Sequence, residues 1–378
     1  MGKNSSKTKT SENAKEQRSK LPKAVRRFLN RFRRKSCKQE IKNEEETTGQ
    51  DVMHPDSTWH PVTRSEEGPI ISQVSQGGLD SPVPFKVEDC TLESFETIKI
   101  LGKGNFAEVS LVREKNSNKI YAMKSITRHR HFDEDYQAEI NVLEITRGRK
   151  FLIGLVTHFE TVDMAYLVTD LVHGHDLLYY LEQVERMSED CARLYSAETA
   201  IALHFLHQHG IIHRDVKLEN IILNFEGHVK LVDYGGCKFN IPGSTRRHMG
   251  TFVYMAPEII TGEQYNHAID FWALGVVLYE LLTGNNPFIA PEDCENEKTY
   301  VTQAILHKFI EIPRYLSYRA GSILRGFLKR NEKERLGSCP HFGYANIQLH
   351  PFYYNSFSFS DLERNMVEIP FKPPSFKI

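Results

Sequence analysis

The sequence predicts an α+β chain of two lobes, a small strand-rich one followed by a larger helical one, preceded by a disordered basic arm. Three observations carry this. From Phe95 to Ile126, short β-branched and aromatic runs are separated by a glycine turn and by Asn116-Ser117-Asn118, the pattern of antiparallel strands. Beyond Gly174, apolar residues recur at helical spacing through Phe352. Residues 1 to about 90 are rich in Lys, Ser, Glu, Asn and Thr, a composition too poor in large apolar residues to offset the entropy of ordering.

The arm comes first. Residues 1–38 hold 14 Lys and Arg against two Glu, so the chain's net charge of -1 hides an arm of +12 and a body of -13. Within the arm, Leu21, Val25, Phe28, Leu29 and Phe32 fall at helical spacing among five arginines, which predicts a basic amphipathic helix near 21–38. The opening "MGKNSSK" fits the pattern for N-myristoylation at Gly2, and one acyl chain plus a basic helix are the two signals that hold a protein on an anionic membrane. In "RFRRKSCK", Arg33 and Arg34 precede Ser36, an expected phosphorylation site. An unacylated terminus, a calmodulin-binding helix and an unmodified serine remain the alternatives.

The strand-rich run "FETIKILGKGNFAEVSLVREKNSNKIYAMKSI" is followed by a helix from about Asp133, with Tyr136, Ile140 and Leu143 on one face, and then by the strand "AYLVTDLV". A hinge is expected near Asp170 to Gly174, which gives lobes of 95–172 and 173–352 and a tail of 353–378. The longest apolar run, Phe271 to Leu282, reaches about half of a membrane span and is bracketed by Asp270 and Glu280, so no transmembrane helix is expected. Six scattered cysteines without a CxxC pair, and no signal-peptide core after Met1, point to a reducing, cytoplasmic setting.

Chemistry concentrates in four places. "LGKGNFAEV" sets Gly102 and Gly104 between strands, where backbone N–H groups can approach a phosphate; a plain hairpin turn is the other reading. "YAMK" puts Lys124 on an apolar strand, where it needs an anion that Glu139 on the next helix can supply, unless it is a solvated edge lysine. "IIHRDVKLENIIL" holds Asp215, Lys217 and Asn220 in a polar loop between apolar runs. "VKLVDYGG" delivers Asp233 into a glycine turn. Two Asp, a Lys and an Asn in this order suit a metal-bound triphosphate far better than a surface loop.

Together these motifs resemble the protein kinase signature set from Phe95 onward. The resemblance implies a bilobal protein kinase fold that uses ATP and Mg²⁺. It implies that Gly102 and Gly104 cover the phosphates, that Lys124, paired with Glu139, holds two of them, and that Leu101, Val109 and Asp176 complete the nucleotide site. It makes Asp215 the residue that orients and accepts the proton of a substrate hydroxyl, Lys217 the neutraliser of charge on the transferred group, and Asn220 and Asp233 the magnesium ligands. Lys217 marks the serine/threonine branch. Glu258 of "APE" is expected to pair with Arg335 of "KERLG", and Asp270 of "DFWALG" to brace the loop around Asp215.

Finer matches, "ARLYSAE", "HPFY", "PFKP", "ENEKTYVTQAIL", Ala107 and Tyr234, are similar to the AGC group and specifically to the atypical protein kinase C catalytic domain. Two departures concern control. Arg247 stands where that family has its activating threonine, and the chain ends at "PFKPPSFKI". A phosphate there would pair with Arg214; here Ser244 or Thr245, or an acidic partner, is left to order the loop. Asp176, Glu219 and Glu280 resemble positions that receive basic residues of the substrate, or else are solvated carboxylates. The expected partners are therefore basic protein substrates and an anionic membrane surface, with no specific nucleic acid and a monomeric chain. The rival reading is a pseudokinase scaffold, favoured by the lost threonine and opposed by Lys124, Asp215, Asn220 and Asp233.

Overall fold

The computed structural model describes residues 90–104, 107–128, 132–239, 250–291, 294–339 and 342–374. The expectations for Gly2, the helix at 21–38, Ser36, Ser244, Thr245 and Arg247 lie outside these residues.

The first lobe is an antiparallel sheet of β1 (Phe95–Lys103), β2 (Ala107–Glu114), β3 (Ile120–Thr127), β4 (Leu155–Glu160) and β5 (Met164–Asp170), ordered β1-β2-β3-β5-β4. Period-2 alternation divides its faces. Val112, Met123, Tyr166 and Val168 pack with Phe95 in a small outer cluster, whereas Ile126, Ala165 and Leu167 join the main core. Helix α1 (Phe132–Ile145) lies on that second face because Phe132, Tyr136, Ile140 and Leu143 form one buried stripe. Its first turn, Asp133 to Asp135, places negative charge at the positive end of the helix.

After β5 the chain crosses to β6 (Gly174–Asp176) and α2 (Leu177–Gln183), where Asp176 caps the helix by accepting from Tyr179 N at 2.8 Å. Gly174 is obligatory there, since a Cβ would sit 1.9 Å from the carbonyl oxygen of Leu223. The second lobe is built on α3 (Glu189–Gln208), capped by Ser188, and on α5 (Ala268–Thr283), which is buried along its whole length. The apolar run expected not to span a membrane is thus the central core helix, and among the described residues no helix is long and apolar enough to cross a membrane. Gly284, at φ 71, ends it.

Short strands β7 (Ile211–Ile212), β8 (Ile221–Asn224), β9 (Val229–Leu231) and β10 (Lys238–Phe239) pair as β10-β7 and β6-β8-β9. They sit on α3 and carry the loops that bear Asp215 and Asp233. Around them lie α4 (Pro257–Ile260), α6 (Glu297–His307), α7 (Tyr318–Phe327), α8 (Gly343–Gln348), α9 (Pro351–Tyr354) and α10 (Phe359–Glu363). Arg335 reaches Glu258 through both terminal guanidinium nitrogens, at 2.6 and 2.9 Å, forming the expected buried pair that fixes α4 against the chain before α8.

Candidate active site

Strand β3 carries Lys124 opposite Val109 of β2 and Leu167 of β5. The stem of the lysine runs among apolar neighbours and its Nζ donates to Glu139 Oε1 at 2.7 Å and to Asp233 Oδ1 at 2.8 Å. Burial alone would lower the Lys124 pKa, but the two carboxylates outweigh it and hold the lysine above its ordinary value. Burial pushes Glu139 up, against the pull of Lys124. Burial would also raise Asp233, yet Lys124 brings it down to about 2, so this carboxylate is ionised at any physiological pH.

Asp215 sits in the loop between β7 and β8. Four donors converge on its carboxylate: Lys217 Nζ at 2.6 Å and Asn220 Nδ2 at 3.0 Å on Oδ2, and the backbone N and the hydroxyl of Thr251, both at 3.1 Å, on Oδ1. Lys217 Nζ also donates to Thr251 Oγ1 at 3.1 Å, and Asn220 Nδ2 to the backbone carbonyl of Asp215 at 2.8 Å. The loop backbone is held from beneath by Asp270 of α5, which accepts from His213 N and Arg214 N at 2.9 Å each and from His207 Nε2 at 2.8 Å. That is the expected brace, with His207 of α3 as an addition. It holds Arg214 at φ 66, a left-handed backbone rare for a long side chain.

The expected residues thus form two groups. Lys124, Glu139 and Asp233 form one, and Asp215, Lys217 and Asn220 form the other. Leu101 is 46% exposed at the end of β1, next to Gly102 and Gly104, and Gly102 pairs with Val109. A Cβ on Gly102 would meet nothing within 4 Å, so that turn lies open. Asp176 spends one oxygen on the α2 cap.

Three features escaped the sequence. Thr251 is the threonine of a Gly-Thr pair, yet its contacts with Asp215 and Lys217 depend on a loop 36 and 34 residues away along the chain. Arg214, expected to meet a phosphate, donates instead to the carbonyls of Gly236 at 2.6 Å and Cys237 at 3.3 Å. Glu182 on α2 joins Asp176 and Glu219 as a third carboxylate, and burial followed by those neighbours raises its pKa. Glu219 is raised by burial too, and its Oε2 is sequestered with no hydrogen-bond partner. Glu280 is not a solvated carboxylate: it is buried, accepts from Tyr254 Oη at 2.6 Å and Asn286 Nδ2 at 3.0 Å, and is pushed up by burial to about 8.

Similarity to known proteins agrees with this arrangement. The family model described as protein kinase domain matches residues 95–353. The chain is 42% identical over 290 residues to "Protein kinase C zeta type" of Oryctolagus cuniculus, covering 75% of this chain and 49% of that protein. It is 43% identical over 293 residues to "Atypical protein kinase C" of Drosophila melanogaster, covering 75% and 48%, and 37% identical over 310 residues to "Protein kinase C" of the same fly, covering 80% and 41%. The chain therefore spans about half the length of the curated relatives it matches. A strand-built lobe with a lysine–glutamate pair, an aspartate loop braced from the core helix, and a match across both lobes establish one conclusion: the chain belongs to the protein kinase family.

Proposed function

We propose that the chain is a serine/threonine protein kinase that transfers the γ-phosphate of Mg·ATP to basic protein substrates. The observation that carries this is the cage around Asp215, in which Lys217, Asn220 and Thr251 orient a carboxylate beside the lysine that a developing negative charge needs.

The donor set suits Mg²⁺. Asn220 spends its Nδ2 on Asp215 and so offers its Oδ1, while ionised Asp233 spends only Oδ1 on Lys124; both are hard oxygen donors. Bound there, Mg·ATP supplies the phosphoryl group and the charge that neutralises its oxygens. The rest is work for the chain. Lys124, locked by Glu139, anchors phosphate oxygens, and the open turn at Gly102 and Gly104 lies over them. Asp215 orients the substrate hydroxyl and takes its proton, and Lys217 neutralises charge on the group in flight. Glu280, a buried carboxylate, and Glu219, whose Oε2 has no hydrogen-bond partner among the described residues, with Asp176 and Glu182 nearby, favour Arg or Lys in the substrate.

The basic arm with its Gly2 and Ser36 fits a cytoplasmic kinase that visits anionic membranes, released when Ser36 is phosphorylated. Liposome binding of wild type and Ser36→Ala, before and after Mg·ATP, tests that part. The kinase reading is tested by transfer of labelled phosphate to an arginine-rich serine peptide. Asp215→Asn lowers turnover by about 10²–10⁴-fold, and Asp233→Ala or Lys124→Met abolishes it while folding is retained. Equal turnover by wild type and all three variants overturns the reading.

A further inference from the structure

The turn that delivers Asp233 needs restraint. Asp233 has φ 64, in the left-handed region that costs an L-residue energy unless its surroundings impose it. The two glycines that follow, Gly235 and Gly236, add backbone freedom rather than stiffness. Its carboxylate is held by a single described contact, Lys124 Nζ, and that lysine must also serve the phosphates.

What restrains the turn is the next side chain. Tyr234 is 1% exposed, its ring packed edge-on to His213 at 5.8 Å, and its hydroxyl lies 3.1 Å from the carbonyl oxygen of Ile153 and 3.3 Å from that of Leu231. The two acceptors sit where the lobes join. Leu231 ends β9, directly before the turn, and Ile153 lies in the segment that leaves α1, the helix of Glu139. That segment is tied to β9 by Ile153 N to Leu231 O at 3.2 Å and Leu231 N to Phe151 O at 2.9 Å. On the other flank Arg214 clamps the carbonyls of Gly236 and Cys237. A phenylalanine in the same place would fill the same space and make neither bond.

Resting on the kinase reading above, we infer that the Tyr234 hydroxyl is a positioning group: by tying the turn to the segment after α1, it holds Asp233 inward for the metal. A change in the turn is thereby coupled to the position of the Lys124–Glu139 pair. The tie is made by the chain alone and calls for no phosphate on the segment 240–249. Tyr234→Phe isolates it, because each carbonyl keeps another donor, Thr146 Oγ1 at 2.6 Å for Ile153 and Ile153 N for Leu231.

The test uses the full chain and two readouts. The first is hydrogen exchange in metal-free, nucleotide-free protein, which needs no turnover. In Tyr234→Phe, exchange at Gly235 to Cys237 accelerates at least fivefold while α3 and α5 are unchanged. The second is the Mg²⁺ concentration for half-maximal peptide phosphorylation, which rises at least threefold while the peptide KM stays constant. Exchange unchanged within twofold overturns the inference, as does acceleration spread evenly over both lobes, or a locally loosened turn with an unaltered Mg²⁺ requirement. If the wild type transfers no phosphate, the kinase reading fails, and the exchange arm alone decides whether the tie exists.

Discussion

The two ends of the core helix α5 treat a buried carboxylate in opposite ways. Asp270, in the first turn, is 1% exposed; burial would raise its pKa, but His207 and the ring and amide of His213 bring it below its ordinary value. Glu280, in the last turn, is 7% exposed and is pushed up to about 8 by burial, with only the neutral donors Tyr254 and Asn286 opposing. The helix dipole favours the first position and disfavours the second. One charge is committed to the fold, where it sets the loop that carries Asp215. The other has no ion-pair partner among the described residues and lies beside the sequestered oxygen of Glu219.

Three substitutions probe this contrast. The largest effect belongs to Asp270→Ala, which orphans the backbone amides of His213 and Arg214 and the ring of His207. Unfolding should be easier by about 3–5 kcal/mol and turnover should fall by about 10²-fold as the loop drifts. Urea denaturation with activity at matched folded fraction measures both, and a loss under about 1 kcal/mol would show that the carboxylate is not spent on the fold.

Next comes Glu280→Gln. The folded pKa of about 8 exceeds the ordinary 4.5, so the folded chain keeps a proton that the unfolded chain gives up within that window. Stability contributed by that proton is complete below the lower value and is lost as pH rises through the upper one, with a slope of at most about 1.4 kcal/mol per pH unit. Glu280→Gln should match wild type at acid pH, exceed it near the upper value, and bind arginine-containing peptides more weakly. Parallel stability–pH profiles for the two proteins would place the Glu280 titration elsewhere. Asp270 has the opposite sign: its depressed folded pKa supports stability above the ordinary 3.8 and surrenders it as pH falls below.

The smallest effect is that of Tyr254→Phe. It removes one hydrogen bond to the buried Glu280 carboxyl, costs about 1 kcal/mol, and, because that bond favours the ionised form, moves the window of falling stability to higher pH. A shift to lower pH would mean that the hydroxyl does not favour the ionised carboxylate.

Much of the site was legible because kinase chemistry writes itself in short local strings. Asp215, Lys217 and Asn220 lie within one loop, and the strand that carries Lys124 and the helix that carries Glu139 are recognisable from periods of two and of about 3.6. Even two long-range ties, Glu258 to Arg335 and Asp270 to the loop, could be expected by resemblance. Contacts that depend on how distant segments approach were not legible. Nothing in "DYGGCK" says that the tyrosine hydroxyl ends at Ile153, that Arg214 turns to the carbonyls of Gly236 and Cys237, or that Thr251 closes over Asp215.

The sequence by itself determined the order of strands and helices and the residue types at each reactive position, since propensity, periodicity and side-chain chemistry are properties of neighbours along the chain. What each charge does depends on packing. Asp270 and Glu280 are ten residues apart on one helix and chemically alike, yet one is held ionised and the other protonated up to about 8. A pKa is set by desolvation and by the donors that folding brings within about 3 Å, and neither exists until the chain has packed.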